Sequence, residues 1–541
     1  MKPISRAARI RAFRYLAVIA ATASILLTFA SRLTSRAADS DSDWSYVDHD
    51  LAGTRFSPLT QITPQNVSRL AKVCSYTFPE KVPSESAPIV SAGVMYLTST
   101  HYTVALNGAD CRVLWTNQWT PRDRDSVHPS RGASLANGKI IRGTADDYLI
   151  AIDAETGHLA WAKQIASPKD GYFISMPPLV HGDMIYIGPA GSESAASGWV
   201  GAFRLSDGEQ VWRFNIIPRD GEPGAQTWGP DPAARKYAGG ALWTPLSYDS
   251  EKDLLYVSGG NPAPDYYDDA RPGANLYTNS LIALDAKTGK LAWYNQFIPH
   301  DTHDYDITHV NPVFKINSRT AIASTGKDGV LRVVDRDSHK LLYSVPYVTR
   351  VNADAKTSST PIRACPGPLG GSEWNSAAYS SALNLLVVPA NDQWCGQIMK
   401  EKEAPNPETA HSGATRYFGG PIGLGPYSEA RGRLTGFDAA TGKERWRYES
   451  PSPMVAGVVV TASKLVFAGE VGGFFDAIDA ESGKVLNRIN LSDSIQGGVI
   501  TYGVSGAQYV AVVSGDGGVI NSKTMPIPAT NPSVTVLAIP K

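Results

Sequence analysis

The stretch AIDAETGHLAW, residues 151–161, reads as a β-strand, a tight turn and a second strand ending in tryptophan. The β-branched and aliphatic residues favour an extended backbone, and Gly157 supplies the positive φ that such a turn requires. The same pattern recurs as ALNGADCRVLW at 105, AFRLSDGEQVW at 202 and ALDAKTGKLAW at 283. VVDRDSHKLLY at 333, GFDAATGKERW at 436 and AIDAESGKVLN at 477 continue it, making seven copies. Another strand pair precedes most of them, such as GVMYLTST before the first and KLVFAGE before the last. Four short strands per unit, repeated around the chain, predict an all-β protein, a β-propeller. The interval between Tyr343 and Gly436 has room for one more unit and contains the strand-like NLLVVPA. Eight blades are therefore expected, with seven the fallback, and the repeated tryptophans are expected to dock between neighbouring blades. Long irregular inserts at about 214–240 and 345–372 are expected to wall a pocket at one end of the central channel.

Composition agrees with a turn-rich β-protein: the 541 residues include 49 Gly and 37 Pro. The N-terminus has a basic start, an apolar run near Leu16–Ala30 and small residues at Ala37 and Ala38. That order predicts a secretory signal peptide over 1–38, with a single domain over 39–541 and a periplasmic location. The alternative is an uncleaved anchor, since Arg32 and Arg36 follow the apolar run. Cleavage removes seven basic residues and no acidic ones, moving the net charge from −1 to −8. With no basic stripe in the remainder, nucleic-acid binding is excluded. The four cysteines, in sequence order, predict disulfides Cys74–Cys111 and Cys365–Cys395. There is no CxxCH, so no covalent haem is encoded.

One further stretch carries chemistry. HDTHDYD at 300–306 concentrates two histidines and three aspartates, suited to a metal site, a proton-transfer site or a wet loop. Around it lie GGALWTPLSYD at 239, GGNPAPD at 259 and RPGANLYTNS at 271, with DWSYVDHDLAGTRFSPLTQITPQNVSRL near the start. In this order, these phrases resemble those of the pyrroloquinoline quinone (PQQ) dependent alcohol dehydrogenases of the methanol and ethanol dehydrogenase type. The likeness extends over nearly the whole chain after the leader.

The resemblance implies a cofactor, a cation and a residue set. Glu193, Asn261 and Asp304 match the family's metal-binding positions, oxygen donors suited to a hard cation such as Ca2+. Asp306, two positions after Asp304, matches an aspartate of the lanthanide-using members; a third carboxylate suits a trivalent ion. Asp304 also matches the catalytic base and Lys327 the cation near the reactive quinone oxygens. Trp243 matches the indole platform under the quinone ring. Glu85, Arg131, Ser175, Gly191, Ser192 and Asn375 match positions around the cofactor's carboxylates and edges, Arg131 as a bidentate fork. The implied reaction oxidises an alcohol by hydride transfer to the quinone, with a metal Lewis acid and electrons passed to a cytochrome c. A homodimer is compatible with this reading.

Several positions depart from the family pattern. The adjacent cysteines that cover the cofactor in many members are absent; SVHPSRG stands there, so His128 or Pro129 is expected over the ring. Ala190 replaces a common serine, Ala274 an aspartate, and His303 stands where tryptophan is common. A PQQ-dependent aldose or polyol dehydrogenase and a non-enzymatic envelope scaffold are the competing functions for such a propeller.

Overall fold

The computed structural model describes residues 42–124, 127–523 and 525–540. The proposed leader, 1–38, lies outside the described residues. Strands dominate, and among the described residues they form eight sheets of four or five strands plus one small three-stranded sheet. The unit is an antiparallel meander. Ser134–Ala136, Lys139–Gly143, Tyr148–Asp153 and Leu159–Gln164, for example, hydrogen-bond in that order. Its middle strands are almost fully buried, whereas its last strand alternates or is largely exposed. This is the burial pattern of a β-propeller sheet, whose inner strands are covered on both faces.

The repeat motif lies at the same place in each of seven sheets. In the founding copy, Asp153 Oδ1 accepts hydrogen bonds from Thr156 N and Thr156 Oγ1, both at 2.8 Å. Gly157 follows at φ 76°, and a Cβ there would sit 2.7 Å from the Trp115 ring. Trp115 belongs to the preceding sheet, and its Nε1 donates to Ala154 O across the gap at 3.0 Å. Trp212 and Trp446 repeat the contact, donating to Ala286 O and Ala480 O. Where the glycine is replaced, His339 takes the left-handed position at φ 59° and stacks on Trp293 at 4.4 Å.

The expected place of the additional unit is corrected by the topology. NLLVVPA lies in Leu385–Asp392, which pairs with Arg431–Asp438 and so belongs to the same sheet as the copy at 436. The long interval holds an insert, 393–430, rather than another sheet. The remaining sheet is built from both ends of the chain: Ala71–Thr77 pairs with Ser533–Ala538, which pairs with Ala507–Ser514 and then Ile495–Val504. Just before it in sequence, Phe56–Ser57 runs parallel to Val459–Thr461 of the neighbouring sheet. A repeat search looks for a contiguous unit, and a sheet split between the termini has none.

Both expected disulfides are present, Cys74–Cys111 and Cys365–Cys395. The insert at 214–240 folds into two short 3-10 turns around buried Trp228. The insert at 345–372 carries Ile362–Ala364, which joins Gly396–Ile398 and Gly423–Leu424 in the small sheet. Among the described residues, no helix is long and apolar enough to cross a membrane.

Candidate active site

A cavity of about 490 Å³ is walled in part by the 345–372 insert, through Pro368 and Leu369, and most of the chemically able residues converge on it. The 214–240 insert, expected to wall it too, contributes no lining residue. Trp243 and Trp374 form aromatic wall. The Arg131 guanidinium sits between them, 5.1 Å from the Trp243 ring and 5.5 Å from the Trp374 ring. Arg131 is held by Glu85 at 2.6 Å and donates to Ser175 Oγ at 2.8 Å and Trp243 O at 3.2 Å. Glu85 in turn accepts from Gly518 N at 3.0 Å. The polar fork is thus fixed before anything binds, a preorganised receptor for carboxylate. Gly191 and Ser192 line the same cavity, at the start of the short turn Ser192–Ser194 that carries Glu193.

The carboxylates gather on another side. Oxygens of Glu193, Asp265 and Asp304 lie within 4.8 Å of one another. Asp304 is buried in a left-handed conformation, φ 61°, within a loop organised by Asp301. Asp301 accepts from His303 N and Tyr305 N, so it shapes the loop, and His303 stacks on Tyr305 instead of facing the cavity. Burial pushes the Asp304 carboxyl well above the usual range; Lys327 opposes this, while Asp306 and Glu193 add to it. Burial likewise raises Asp265, with Asp304 and Glu193 adding to the effect. Lys327 is driven the other way from burial alone: desolvation would lower it, but Asp304 and Asp306 raise it well above its ordinary value.

Two buried acceptors in this cluster have no donor, Asn261 Oδ1 and Asp265 Oδ2. Unpaired buried oxygens beside mutually repelling carboxylates are costly unless a cation joins them. The donor set is oxygen throughout, so it fits a hard cation. The flat aromatic face and the arginine fork equally fit a planar, polycarboxylate cofactor.

The profile of a family described as "PQQ: Glucose/ethanol/alcohol dehydrogenase, beta-propeller domain" matches residues 44–357 and 449–510. The chain belongs to the PQQ-dependent alcohol dehydrogenase family. It is therefore an oxidoreductase of the quinoprotein class. It is 30% identical to the quinoprotein alcohol dehydrogenase PedH of Pseudomonas putida, over 86% of this chain and 85% of that one. With the 1-butanol dehydrogenase (cytochrome c) of Thauera butanivorans it shares 31% identity, over 89% of this chain and 76% of the relative. A solved europium-containing methanol dehydrogenase superposes with a TM-score of 0.84 at 27% identity, covering 92% of this chain and 98% of that one.

Within this quinoprotein dehydrogenase, the expected residues divide. Glu85, Arg131, Ser175, Gly191, Ser192, Glu193, Trp243, Asp304, Asp306 and Lys327 all line the cavity. His128 and Pro129 also line it, and His128 is stacked on Phe173 at 3.5 Å. Asn261 sits just behind, its backbone N–H on Asp306 Oδ1 at 2.8 Å. The other oxygen of Asp306 lies 2.9 Å from Lys327 Nζ, so Lys327 and a backbone amide orient this carboxylate at the cavity wall. Asn375 is turned from the cavity. Its amide donates to Met454 O and Pro389 O, and its oxygen accepts from Glu373 N.

Glu373 is the residue that the sequence reading passed over at this wall. It lines the cavity with Oε1 unpaired, and burial pushes its carboxyl up to about 8. Asp265 was likewise missed, although it lies four residues after Asn261. The insert 393–430 also contributes rim residues Arg416, Phe418, Ile422 and Leu424. The only advance signal for these was the length of that insert.

Proposed function

We propose that this chain oxidises an alcohol to an aldehyde or ketone at a PQQ held in the cavity beside a hard cation. The carrying observation is the placement of Asp304, buried beside Lys327, Glu193 and Asp265 in a cavity walled by Trp243. Trp243 would lie against the cofactor's ring, with Arg131, Glu85, Ser175, Gly191 and Ser192 around its polar edge. Glu193, Asn261 and Asp304 would hold the ion, Ca2+ or a lanthanide. Once bound, the quinone supplies a two-electron acceptor for the substrate's hydride, and the cation supplies Lewis acidity.

The chain's own residues manage the proton and the charge. Asp304 accepts the substrate hydroxyl proton, and it needs the ionised form to do so. Burial opposes that form, and the Lys327 ammonium at 3.0 Å favours it. Lys327 also offers its positive charge to oxygens that become negative during oxidation, in a site where water is largely excluded. Asn375 acts one layer back, fixing the backbone at Glu373.

The wider reading includes an eight-bladed ring in which each terminal aromatic packs a sheet onto the next. It also includes export to the periplasm after loss of 1–38, and a separate cytochrome c as electron acceptor. The absence of a CxxCH motif and the name of the Thauera relative support the last point. The test is reconstitution with PQQ and either Ca2+ or La3+, followed by dye reduction over an alcohol series. No dye reduction with any alcohol would overturn the proposal.

A further inference from the structure

The cation site implied by family likeness has Asp306 as its additional carboxylate, and each oxygen of Asp306 already has one protein contact. Oδ1 accepts from Asn261 N at 2.8 Å, and Oδ2 lies 2.9 Å from Lys327 Nζ. A further carboxylate lies nearer the other two, Glu193 and Asp304. Asp265 is fully buried, and one of its oxygens lies within 4.8 Å of oxygens of both Glu193 and Asp304. Its Oδ2 has no hydrogen-bond donor.

We propose that Asp265 is a direct ligand of the cation, a carboxylate beyond the set that the family likeness implies, and that it tunes the site to a trivalent lanthanide. This rests on reading the cavity as a PQQ-and-cation site. The Asp265 carboxylate also orients a neighbouring donor. Asn261 Nδ2 donates to Asp265 Oδ1 at 3.0 Å, which commits the amide nitrogen and leaves Asn261 Oδ1 as an unpaired acceptor. The segment 261–265 therefore carries two unpaired acceptors side by side, one neutral and one charged, the charged one grouped with Glu193 and Asp304.

Charge decides which ion such a set prefers. Glu193, Asp265 and Asp304 carry three negative charges, which a trivalent ion neutralises. A divalent ion leaves one buried carboxylate uncompensated, and an unpaired buried charge is strongly disfavoured. Oxygen donors with a high charge count suit hard ions and raise affinity. Lys327 cannot serve as the missing counter-charge, because Asp304 and Asp306 already share it.

The experiment uses the full chain stripped of metal with a chelator, titrated with LaCl3 and with CaCl2 by calorimetry, with and without PQQ. The wild type should bind one La3+ and prefer it to Ca2+. Asp265→Asn keeps an acceptor for Asn261 Nδ2 while removing the charge, so it should weaken La3+ binding by about tenfold or more and shrink the La3+/Ca2+ ratio. Asp265→Glu, which keeps the charge, should retain the preference, and Asp306→Asn should cost less than Asp265→Asn. Unchanged affinities in a folded Asp265→Asn protein would overturn the assignment of Asp265 alone. If the wild type binds neither ion under either condition, the cation-site reading itself falls, and this inference falls with it.

Discussion

The Lys327 ammonium lies 3.0 Å from the Asp304 carboxylate, and neither side chain is more than a tenth exposed. Each group favours the ionised form of the other against the burial that opposes it, and each is expensive to leave alone. Asp306 on the far side of Lys327, at 2.9 Å, makes the arrangement a triad with one positive and two negative members.

Removing the proposed base should isolate chemistry from binding. In Asp304→Asn, dye-linked alcohol oxidation should fall by at least about 100-fold, the usual contribution of a positioned general base. PQQ binding, followed by absorbance, should survive, because the arginine fork and Trp243 are untouched.

Removing the cation should destabilise the fold as well as the reaction. Lys327→Ala leaves Asp304 and Asp306 buried without their counter-charge, an expected loss of about 3 kcal/mol in denaturant unfolding of metal-free protein. Lys327→Ala/Asp306→Asn should recover part of that loss, whereas independent contributions would simply add.

A third expectation concerns pH and a group remote from the cation cluster. Asp147 is fully buried with both carboxylate oxygens unpaired, and burial, reinforced by Asp146, pushes it from 3.8 to about 8. A raised carboxyl stabilises the fold fully below its unfolded value and loses that contribution as pH rises through the folded one. Wild-type stability should therefore carry no penalty from this group below pH 3.8 and the full penalty above about pH 8. Asp147→Asn should match the wild type at low pH and gain in melting temperature as pH rises to that point. Asparagine also tolerates the local φ of 67°.

The Cys365–Cys395 disulfide stiffens the cavity wall. Gly367 N bonds Trp394 O beside it, Pro368 and Leu369 line the cavity, and Gly371 N bonds Lys327 O. Replacing both cysteines with serine should cost about 3–4 kcal/mol by loop-closure entropy. KM for the alcohol should rise with it, measured in the same dye assay.

How much of this was readable beforehand follows from the range of the interactions. The strand–turn–strand unit is local: Asp153, Thr156 and Gly157 make their turn from neighbouring residues, so periodicity exposes it. Phrases around Asn261, Asp304 and Trp243 were legible because their likeness to a family is verbal and ordered. Asp265 and Glu373 were not, because each acquires its role only when distant loops converge. Asp265 meets Glu193 from across 72 positions of sequence, and nothing near PAPD announces that. Asn375 shows the opposite failure. Its motif predicts an amide facing the cavity, whereas three backbone groups occupy it. Where a buried amide points depends on which carbonyls lie within reach, a three-dimensional fact.

The sheet shared by Ala71–Thr77 and Ser533–Ala538 has a consequence for the order of events in the cell. Ala71–Thr77, made early, has no strand to pair with until Ser533–Ala538, the last strand, has been made. Each intermediate sheet can form as it emerges, but the circle stays open and the cavity unassembled until the final residues arrive. Clipping a dozen residues from the C-terminus would thus do more harm than their distance from Asp304 suggests. It would leave an open arc with two raw edges, prone to pairing with other chains.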